Sequence, residues 1–264
     1  MKNKLLILGA GGHAKVVADM ARLNGYTEIA FLADRMPANV GTECHVLGAC
    51  MDFVRYPEAD IIVAIGDADS RGRLVQQCLQ AGRCVVTLVH PQAVVAQDVQ
   101  LGAGTVVMAG AVINPASRVG KGCIINTGAT VDHDNRIADY VHLSPGVHLA
   151  GTVEVGDYAW LGVGANVRDH IRICPHAIIG VGAAVVKDIT EPGTYIGVPA
   201  RKMIKEQDNM IKRPSVRRGG MGELADYAIP ICLNIFTPKP RAILPAACCG
   251  LNEAVKLDEG RGVV

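Results

Sequence analysis

Aliphatic residues recur at every sixth position through the middle of the chain. The period runs without interruption over sixteen aliphatic positions. A small residue, such as Ala111, Ala129 or Ala165, usually stands four residues after each of them. The sixteen positions are Val95, Leu101, Val107, Ile113, Val119, Ile125, Val131, Ile137, Leu143, Leu149, Val155, Leu161, Val167, Ile173, Ile179 and Val185. A six-residue repeat of this kind is the signature of a parallel β-helix.

In such a fold, each repeat forms one flat face of a three-sided coil. The aliphatic side chain points inward, and the small residue lets the chain turn the corner. Three faces close a coil of eighteen residues, so sixteen repeats predict a little over five coils. Because successive coils pair as parallel strands about 4.8 Å apart, residues eighteen positions apart should lie one above the other.

Before the repeat, short apolar runs alternate with helical patterns. We expect strands at 5–8, 29–32, 60–65 and 84–89, and helices at 14–23 and 71–81. The first helix should bury Val16, Val17, Met20 and Leu23 on one stripe. This alternation predicts a parallel sheet that is covered by helices.

The first of these strands ends in a glycine loop. Gly9, Gly11 and Ala14 fit a loose dinucleotide fingerprint, and Asp34 follows the second strand. Glycines let the backbone approach a phosphate, and a helix N-terminus supplies N–H donors. The alternative is a tight turn that binds nothing. His13, in the first turn of the helix, is then either an ordinary surface residue or a hydrogen-bonding partner of a substrate.

The composition supports narrow packing of small aliphatic side chains. Half of the residues are hydrophobic, but only 4% are aromatic, and there are 30 glycines.

The formal net charge of +1 gives no basic footprint, so we expect no nucleic-acid partner. No apolar stretch approaches the roughly 20 residues of a membrane span, so we expect no membrane insertion. The apolar run that stops at Leu8 is too short for a signal-peptide core of about 7–15 residues.

The nine cysteines show neither a metal-binding nor a disulfide spacing. Their number is odd, and no C-x-x-C occurs. We therefore expect no metal site, and we interpret the cysteines as reduced thiols of a cytoplasmic protein.

One pair of positions on the coil could support acyl transfer. His133 and Gly151 are eighteen residues apart, so an imidazole should lie above a glycine backbone. Acyl transfer needs a base for the incoming nucleophile and an N–H donor for the developing oxyanion. Asp132 and Asp134 flank the histidine, and either carboxylate could orient the ring if the chain bends there. The competing interpretation of this triplet is a polar, solvated corner.

A second histidine lies half a coil further on. His142 follows His133 by nine residues, which places it on the far side of the coil. The two histidines could meet only if a neighbouring subunit brought its own His142 across. We therefore expect a cyclic oligomer, a homotrimer, with active sites between subunits; a buried structural histidine is the alternative. His148, His170 and His176 show no such pairing, and we interpret them as structural or surface residues.

These features together resemble the sugar O- and N-acetyltransferases of the hexapeptide-repeat acyltransferases, which include the sialic acid O-acetyltransferase and the bacillosamine-pathway N-acetyltransferase types. The matching stretches cover about residues 3–204. They are Gly9-Ala-Gly-Gly-His13, Phe31-Leu-Ala-Asp34, Ala64-Ile-Gly66, Asn126-Thr-Gly-Ala-Thr-Val-Asp-His-Asp134, His142-Leu-Ser-Pro-Gly146, Leu149-Ala-Gly151 and Gly197-Val-Pro-Ala-Arg201.

The resemblance implies a fold, a cosubstrate and roles for individual residues. The fold would be a small Rossmann-like α/β domain followed by a left-handed parallel β-helix, and acetyl-CoA would be the cosubstrate. His133 would be the general base and Asp134 its partner. The residues implied for acetyl-CoA are His142, Gly151, Val163, Val181, Arg201 and Lys202. The residues implied for a nucleotide-sugar substrate are Gly11, Gly12, His13, Asp34 and Gly66.

We thus expect three segments: a nucleotide-sugar-binding α/β domain at 1–90, a β-helix at 91–204, and an extension at 205–264. The extension has neither a hexapeptide period nor a clear helix; disorder, an added module and a non-native extension are all open for it.

The expected activity is N-acetylation of the 4-amino group of a nucleotide-linked sugar. O-acetylation of sialic acid or a related sugar is the alternative within the same chemistry. An NAD-binding oxidoreductase would use the glycine loop and Asp34, but about four strands are fewer than the six of a full dinucleotide fold. A purely structural solenoid would explain neither the front domain nor the histidine above the glycine.

Overall fold

The computed structural model describes residues 4–35 and 45–203. They form a small α/β sheet followed by a three-sided parallel coil. The extension predicted at 205–264 lies outside the described residues, and the limits 1–90 and 91–204 stay a prediction. Among the helices of the described part, none is long and apolar enough to cross a membrane.

The front sheet contains four parallel strands in the order β3-β2-β1-β4. Its elements are β1 (Lys4–Leu8), α1 (Gly12–Leu23), β2 (Glu28–Leu32), β3 (Val46–Gly48), a 3₁₀ helix (Cys50–Arg55), β4 (Asp60–Val63) and α2 (Ala68–Gln80). Strand β1 lies in the middle, and its side chains from Leu5 to Leu8 are fully buried. Its uninterrupted apolar run is what a parallel strand covered on both faces requires.

Two expectations for the front sheet were wrong in part. Helix α1 buries Val17 and Met20 as expected, together with three alanines, but Val16 is 46% and Leu23 is 53% exposed. The segment 84–89 is not a fourth strand of this sheet. Val85 makes only an isolated bridge to Ile61, because the chain then leaves the sheet and Leu88–Val89 begins the coil. The fourth strand is β3, which the sequence pattern did not predict.

The coil strands follow the six-residue period. They are β5 (Leu88–Val89), β6 (Val94–Val95), β7 (Gln100–Leu101), β8 (Val106–Val107), β9 (Val112–Ile113), β10 (Arg118–Val119), β11 (Ile124–Ile125), β12 (Thr130–Val131), β13 (Arg136–Ile137), β14 (His142–Leu143), β15 (His148–Leu149), β16 (Glu154–Val155), β17 (Trp160–Leu161), β18 (Asn166–Val167), β19 (Arg172–Ile173), β20 (Ala177–Ile179), β21 (Ala184–Val185), β22 (Gly193–Ile196) and β23 (Arg201–Lys202).

These strands form three faces. Face one contains β5, β8, β11, β14, β17, β20, β22 and β23; face two contains β6, β9, β12, β15, β18 and β21; face three contains β7, β10, β13, β16 and β19. From β5 to β21, parallel pairing joins residues eighteen apart, as between Thr130 and His148. All sixteen predicted aliphatic positions lie in these strands, and all but Val95 and Leu101, on the terminal coil, are buried. The repeat therefore predicted both the coil length and its core.

The corners are named after the faces that they join. The 2/3 corner contains residues 96–99, 114–117, 132–135, 150–153 and 168–171. The 3/1 corner contains 102–105, 120–123, 138–141, 156–159 and 174–176. The 1/2 corner contains 90–93, 108–111, 126–129, 144–147, 162–165 and 180–183.

Face one is covered by the front sheet at its first coils. The outward side chains Val106 and Ile124 are each 1% exposed and share a core with Leu5 and Ile7 of β1. The next outward residues in the same column are His142, Trp160 and Ile178. The covered part of face one therefore ends at His142.

Candidate active site

His133 lies on the 2/3 corner, one coil before Gly151. The backbone N–H of Thr152 donates to the His133 carbonyl oxygen at 2.9 Å, which fixes the two corners in register. A Cβ placed on Gly151 would lie 2.5 Å from Cε1 and 2.6 Å from Nε2 of His133. The imidazole thus rests directly against the glycine, as the eighteen-residue spacing predicts. The close approach, rather than a left-handed φ, is what requires glycine here.

Asp134, not Asp132, contacts the imidazole. His133 Nδ1 lies 2.8 Å from Asp134 Oδ2. Neighbouring side chains can meet because Asp134 has a left-handed φ of 59°, which bends the chain at this point. The hydrogen bond to Asp134 raises the pKa of His133 above its usual value. With Nδ1 donating to the carboxylate, Nε2 carries the lone pair on the side of Gly151.

Asp132 supports the corner from the other side. Its Oδ1 accepts the backbone N–H of His133 and the side-chain amide of Asn114, both at 2.9 Å. The hydrogen bond from Asn114, together with that from His133, lowers the pKa of Asp132. The Asp132 carboxylate therefore holds the backbone of the corner, whereas the Asp134 carboxylate bonds the imidazole ring of His133.

A buried asparagine ties the two active corners together. Asn135 is 0% exposed, and its Nδ2 donates to the carbonyl oxygens of Asp132 at 2.6 Å and Ala150 at 3.0 Å. Its Oδ1 accepts the N–H of Val153 at 3.0 Å. These bonds satisfy buried backbone groups on both coils and hold His133 over Gly151. Sequence reasoning missed this residue, although an asparagine at a repeat position that mostly holds small or aliphatic residues was the available signal.

His142 lies on face one, opposite the 2/3 corner. The side chain is half-buried; its Nε2 is 3.3 Å from Asn126 Nδ2, and its ring stacks on Trp160 at 6.2 Å between centroids. Burial, with the positive charge of Arg71 and the nearby His13 adding to it, lowers the pKa of His142 to about 3. Within one chain the two histidines lie on different sides of the coil, as the half-coil spacing predicts.

A cleft of about 480 Å³ lies between His142 and the front sheet; we call it the coil cleft. Its lining residues are Gly66, Asp67, Ala68, Asp69, His142, Tyr158, Trp160, His176 and Ile178. Trp160 is oriented by its Nε1, which donates to Ser144 Oγ at 2.9 Å. His176 is exposed, as a surface residue would be, but its ring also stacks on Tyr158 at 4.9 Å between centroids and lines this cleft. Sequence reasoning missed this cleft, although His142, Trp160 and Ile178 stand eighteen residues apart and therefore form one outward column on face one.

A second cleft, of about 640 Å³, opens at the ends of the front strands; we call it the front cleft. Its lining residues are Gly9, Ala10, Ala33, Asp34, Arg35, Cys50, Met51, Ile65, Ser70, Arg73, Leu74 and Gln77. Asp34 Oδ1 accepts the N–H of Cys50 at 2.9 Å, so one carboxylate oxygen is already engaged. The segment 65–70 separates the two clefts, because Ile65 and Ser70 line one and Gly66 lines the other.

The glycine loop leaves open space at the start of α1. A Cβ on Gly11 or Gly12 would meet nothing within 4 Å. His13 is half-buried, which excludes the ordinary surface residue, and its Nε2 is buried without a hydrogen-bond partner among the described residues. Burial, followed by the charge of Arg71, lowers its pKa to about 4. The loop thus offers open backbone and one neutral imidazole.

The remaining predicted residues lie elsewhere on the coil. Val163 and Val181 form an exposed apolar column on the 1/2 corner, with exposures of 49% and 77%. Arg201 is exposed, and Lys202 Nζ pairs with Glu191 Oε2 at 2.8 Å. Within one chain, face two separates the valine column from the 2/3 corner.

Comparison with known proteins finds related chains on both parts. The family described as PglD N-terminal domain matches residues 4–78. UDP-N-acetylbacillosamine N-acetyltransferase of Bacillus subtilis (strain 168) is 39% identical over 114 residues, which are 41% of this chain and 52% of that protein. The match thus spans about half the length of this curated relative.

Solved structures resemble the chain over most of its described length. The acetyltransferase domain of PglB from Neisseria gonorrhoeae FA1090, in complex with acetyl coenzyme A, is 38% identical with a TM-score of 0.73, over 77% of this chain and 100% of that chain. PerB from Caulobacter crescentus, in complex with CoA and GDP-perosamine, is 42% identical with a TM-score of 0.71, over 77% and 98%. The predicted fold class, an α/β domain followed by a left-handed parallel β-helix, is confirmed.

Proposed function

Because the chain belongs to the sugar acetyltransferase family of the hexapeptide-repeat acyltransferases, we propose that it transfers the acetyl group of acetyl-CoA to the 4-amino group of a nucleotide-linked amino sugar. The observation that carries the proposal is the contact of the His133 ring with Gly151. It brings a base and a backbone N–H together at one exposed corner, which is the pair of groups that acyl transfer needs.

His133 serves as the general base. Its Nδ1–H donates to Asp134, so Nε2 accepts the proton that the attacking amine loses. The carboxylate stabilises the imidazolium that results, which agrees with the raised pKa. Acetyl-CoA supplies the acetyl group as a thioester, and the transfer forms a C–N bond, breaks the C–S bond and returns the proton to the thiolate of CoA.

Gly151 fits the reacting end of a thioester. Among the described residues its N–H has no acceptor, so it can donate to the negative charge that develops on the acetyl oxygen. The absence of a side chain keeps that N–H accessible beside the His133 ring. The exposed column of Val163 and Val181 suits the apolar arm of CoA, and Arg201 with Lys202 suits its phosphates.

The two clefts suit the two halves of a nucleotide-linked sugar. The open N-terminus of α1 at Gly11 and Gly12 directly follows Ala10, which lines the front cleft with Asp34, and it offers a phosphate and ribose site there. The sugar would pass Gly66 into the coil cleft, where Trp160 offers an apolar ring face. The PerB complex with GDP-perosamine supports a substrate of this class.

The opposite positions of His133 and His142 support a homotrimer with active sites between subunits. The 2/3 corner of one subunit would face the coil cleft of the next, so that both histidines reach one thioester. Sedimentation should then give three times the 27.8 kDa mass of the chain. A monomer under assay conditions would contradict this arrangement. We assign the reaction to the cytoplasm, where acetyl-CoA is made and cysteines stay reduced.

The decisive experiment is an acceptor panel. The purified protein is incubated with acetyl-CoA and UDP-, GDP- or dTDP-linked 4-amino sugars, and both thiol release and product mass are measured. We expect acetylation of at least one of these amines and none of the matched 4-hydroxy sugars. Sialic acid is included as an acceptor, because its acetylation without that of any amine would favour the O-acetyltransferase alternative and contradict the proposal.

A further inference from the structure

Arg71 is the largest fully buried side chain of the described residues. It is the fourth residue of α2 and is 1% exposed. Its guanidinium donates to four backbone carbonyl oxygens: Nε to Gly122 at 2.7 Å, Nη1 to Ile65 at 2.9 Å and Gly66 at 2.7 Å, and Nη2 to Tyr140 at 2.6 Å. Burial lowers its pKa to about 10, so it remains protonated at neutral pH. A buried charge held this way is costly, which calls for a reason.

The four acceptors belong to two different parts of the molecule. Ile65 and Gly66 begin the segment 65–70, which separates the front cleft from the coil cleft. Gly122 and Tyr140 lie on the 3/1 corner of the coil, one coil apart. A planar guanidinium can donate hydrogen bonds at fixed angles to carbonyl oxygens of the segment and of the corner at the same time.

The neighbouring residue shows how closely the helix sits against the coil. A Cβ on Gly72 would lie 2.9 Å from Cε1 of Tyr158 and 3.3 Å from Cδ2 of Tyr140. Helix α2 therefore contacts the same 3/1 corner through backbone packing, while Arg71 adds directional hydrogen bonds. Packing alone would allow sliding along the corner, whereas four directed bonds fix the position.

We infer that Arg71 is a positioning residue, which ties the segment 65–70 to the coil and thereby sets where a sugar held by the front cleft presents its amine to the acetyl group. The inference rests on the proposed function, since it specifies how the two substrate sites are kept in register. A misplacement of about 1 Å can cost roughly a hundredfold in rate.

The charge of Arg71 also acts on the coil cleft. It contributes, after burial, to the lowered pKa values of both His142 and His13. The other charged or titratable groups that line this cleft are Asp67, Asp69, Tyr158 and His176. Arg71 thus favours a neutral His142, and its loss should make that histidine easier to protonate.

The test compares two lysine and two methionine variants. Arg71→Lys keeps a positive charge but cannot reach four carbonyl oxygens in one plane, whereas Arg71→Met removes the charge as well. Arg83 provides a matched control, because it too donates to backbone carbonyl oxygens, those of Phe53, Tyr56 and Ala59, but all of them within the front sheet region. The measurements are kcat and KM for each substrate, well below the unfolding temperature, and amide hydrogen exchange of residues 65–70.

We expect Arg71→Lys to lower kcat/KM for the nucleotide-sugar by at least tenfold, while KM for acetyl-CoA changes less than twofold. Arg71→Met should do the same and also raise the pKa of His142, which an NMR titration of the imidazole measures. Both should speed amide exchange at 65–70. Arg83→Lys and Arg83→Met should lower the unfolding temperature while leaving kcat/KM for the nucleotide-sugar within about twofold.

The inference fails if the Arg71 variants lose only thermal stability, as is expected of the Arg83 variants. It also fails if they weaken both substrates equally. Failure of the proposed function is a separate result. If the unaltered protein acetylates no panel sugar, amide exchange alone tests whether Arg71 holds the segment 65–70 against the coil. Faster exchange at 65–70 in Arg71→Met supports this role, and unchanged exchange overturns it.

Discussion

The 2/3 corner and the coil cleft place two histidines, half a coil apart, in opposite environments. On the corner, the side chains of His133 and Asp134 are 60% and 57% exposed, and the carboxylate raises the pKa of the imidazole. In the cleft, His142 is half-buried beside Arg71 and His13, and its pKa is lowered to about 3. The first is equipped to take up a proton, and the second is kept neutral.

The difference arises from what covers each side of the coil. The front sheet packs on face one and ends at His142, so this ring loses water and gains a nearby guanidinium. Nothing among the described residues of this chain covers the 2/3 corner, where the left-handed Asp134 turns its carboxylate toward His133. The same eighteen-residue coil thus supplies both a base and a neutral imidazole, depending on the face.

The largest effect should come from His133→Ala. Removal of a general base should lower kcat by about 10²–10⁴-fold, because the amine then loses its proton acceptor. Steady-state kinetics with the best panel sugar measures this loss. Binding of CoA, measured by calorimetry, should change little, since the coil keeps its core.

His170→Ala is the matched control for that variant. His170 lies on the same 2/3 corner, has a left-handed φ of 57°, and stands 3.7 Å from Asp169. The three atoms nearest to a Cβ on Gly151 all belong to His133, so the loss of the His170 ring should leave kcat within about twofold. Comparable losses in the two variants would mean that an exposed corner histidine has no special role.

Gly151→Ala should have the next largest effect on kcat. The new Cβ would come within 2.5 Å of the His133 ring, which must turn away from the corner. Because that ring is exposed, it can move at little cost in stability, but the base is then misplaced. We expect kcat to fall about 10- to 100-fold. In a His133→Ala background the same substitution should cost less, because only access to the Gly151 N–H remains to be lost, and fully additive losses would contradict the contact.

Asp134→Asn should have a smaller effect and a clear pH signature. The base must be neutral to act, so the rate falls as pH drops through the raised pKa of His133. Without the carboxylate this pKa falls, and the acidic limb of kcat/KM should move to lower pH. The plateau should drop by about tenfold, since a less basic imidazole accepts a proton less readily. Asp169→Asn, which changes the carboxylate beside His170, is the control. If the acidic limb of kcat/KM did not move in Asp134→Asn, a group other than Asp134 would have to orient His133.

The sequence predicted the coil, its core and the contact of His133 with Gly151, because each follows from a fixed period. Register in a β-helix is local, so counting in eighteens suffices. The cleft was missed for the opposite reason. Trp160, His176 and Asp67 meet there only because the front sheet docks on face one, a contact between segments far apart in sequence. Even so, the apolar outward positions Val106 and Ile124 were a readable sign that this face is covered.

Arg71 and Asn135 mark another limit of sequence reasoning. Both are buried polar side chains that donate to backbone carbonyl oxygens, some of which lie on distant segments. Side-chain types carry no information about such acceptors, since every residue has a carbonyl group. Only the coordinates reveal that one residue ties α2 to the coil and the other ties two corners together.

The smallest effect concerns stability, and it separates the two histidine environments without any substrate. His142 has a folded pKa of about 3 and an unfolded value near 6.5, so below pH 6.5 the unfolded chain binds a proton that the folded chain does not. The free energy of unfolding should therefore be unaffected by this group at pH 8 and be lower by about 2 kcal/mol at pH 5. His142→Gln should lose correspondingly less stability between these two pH values, measured by denaturant unfolding at one fixed protein concentration. His148→Gln, which removes an exposed histidine bonded to Thr130, serves as control. If both variants lost as much stability as the unaltered protein, His142 would have to be protonated in the folded state, and the contrast between the covered face and the open corner would disappear.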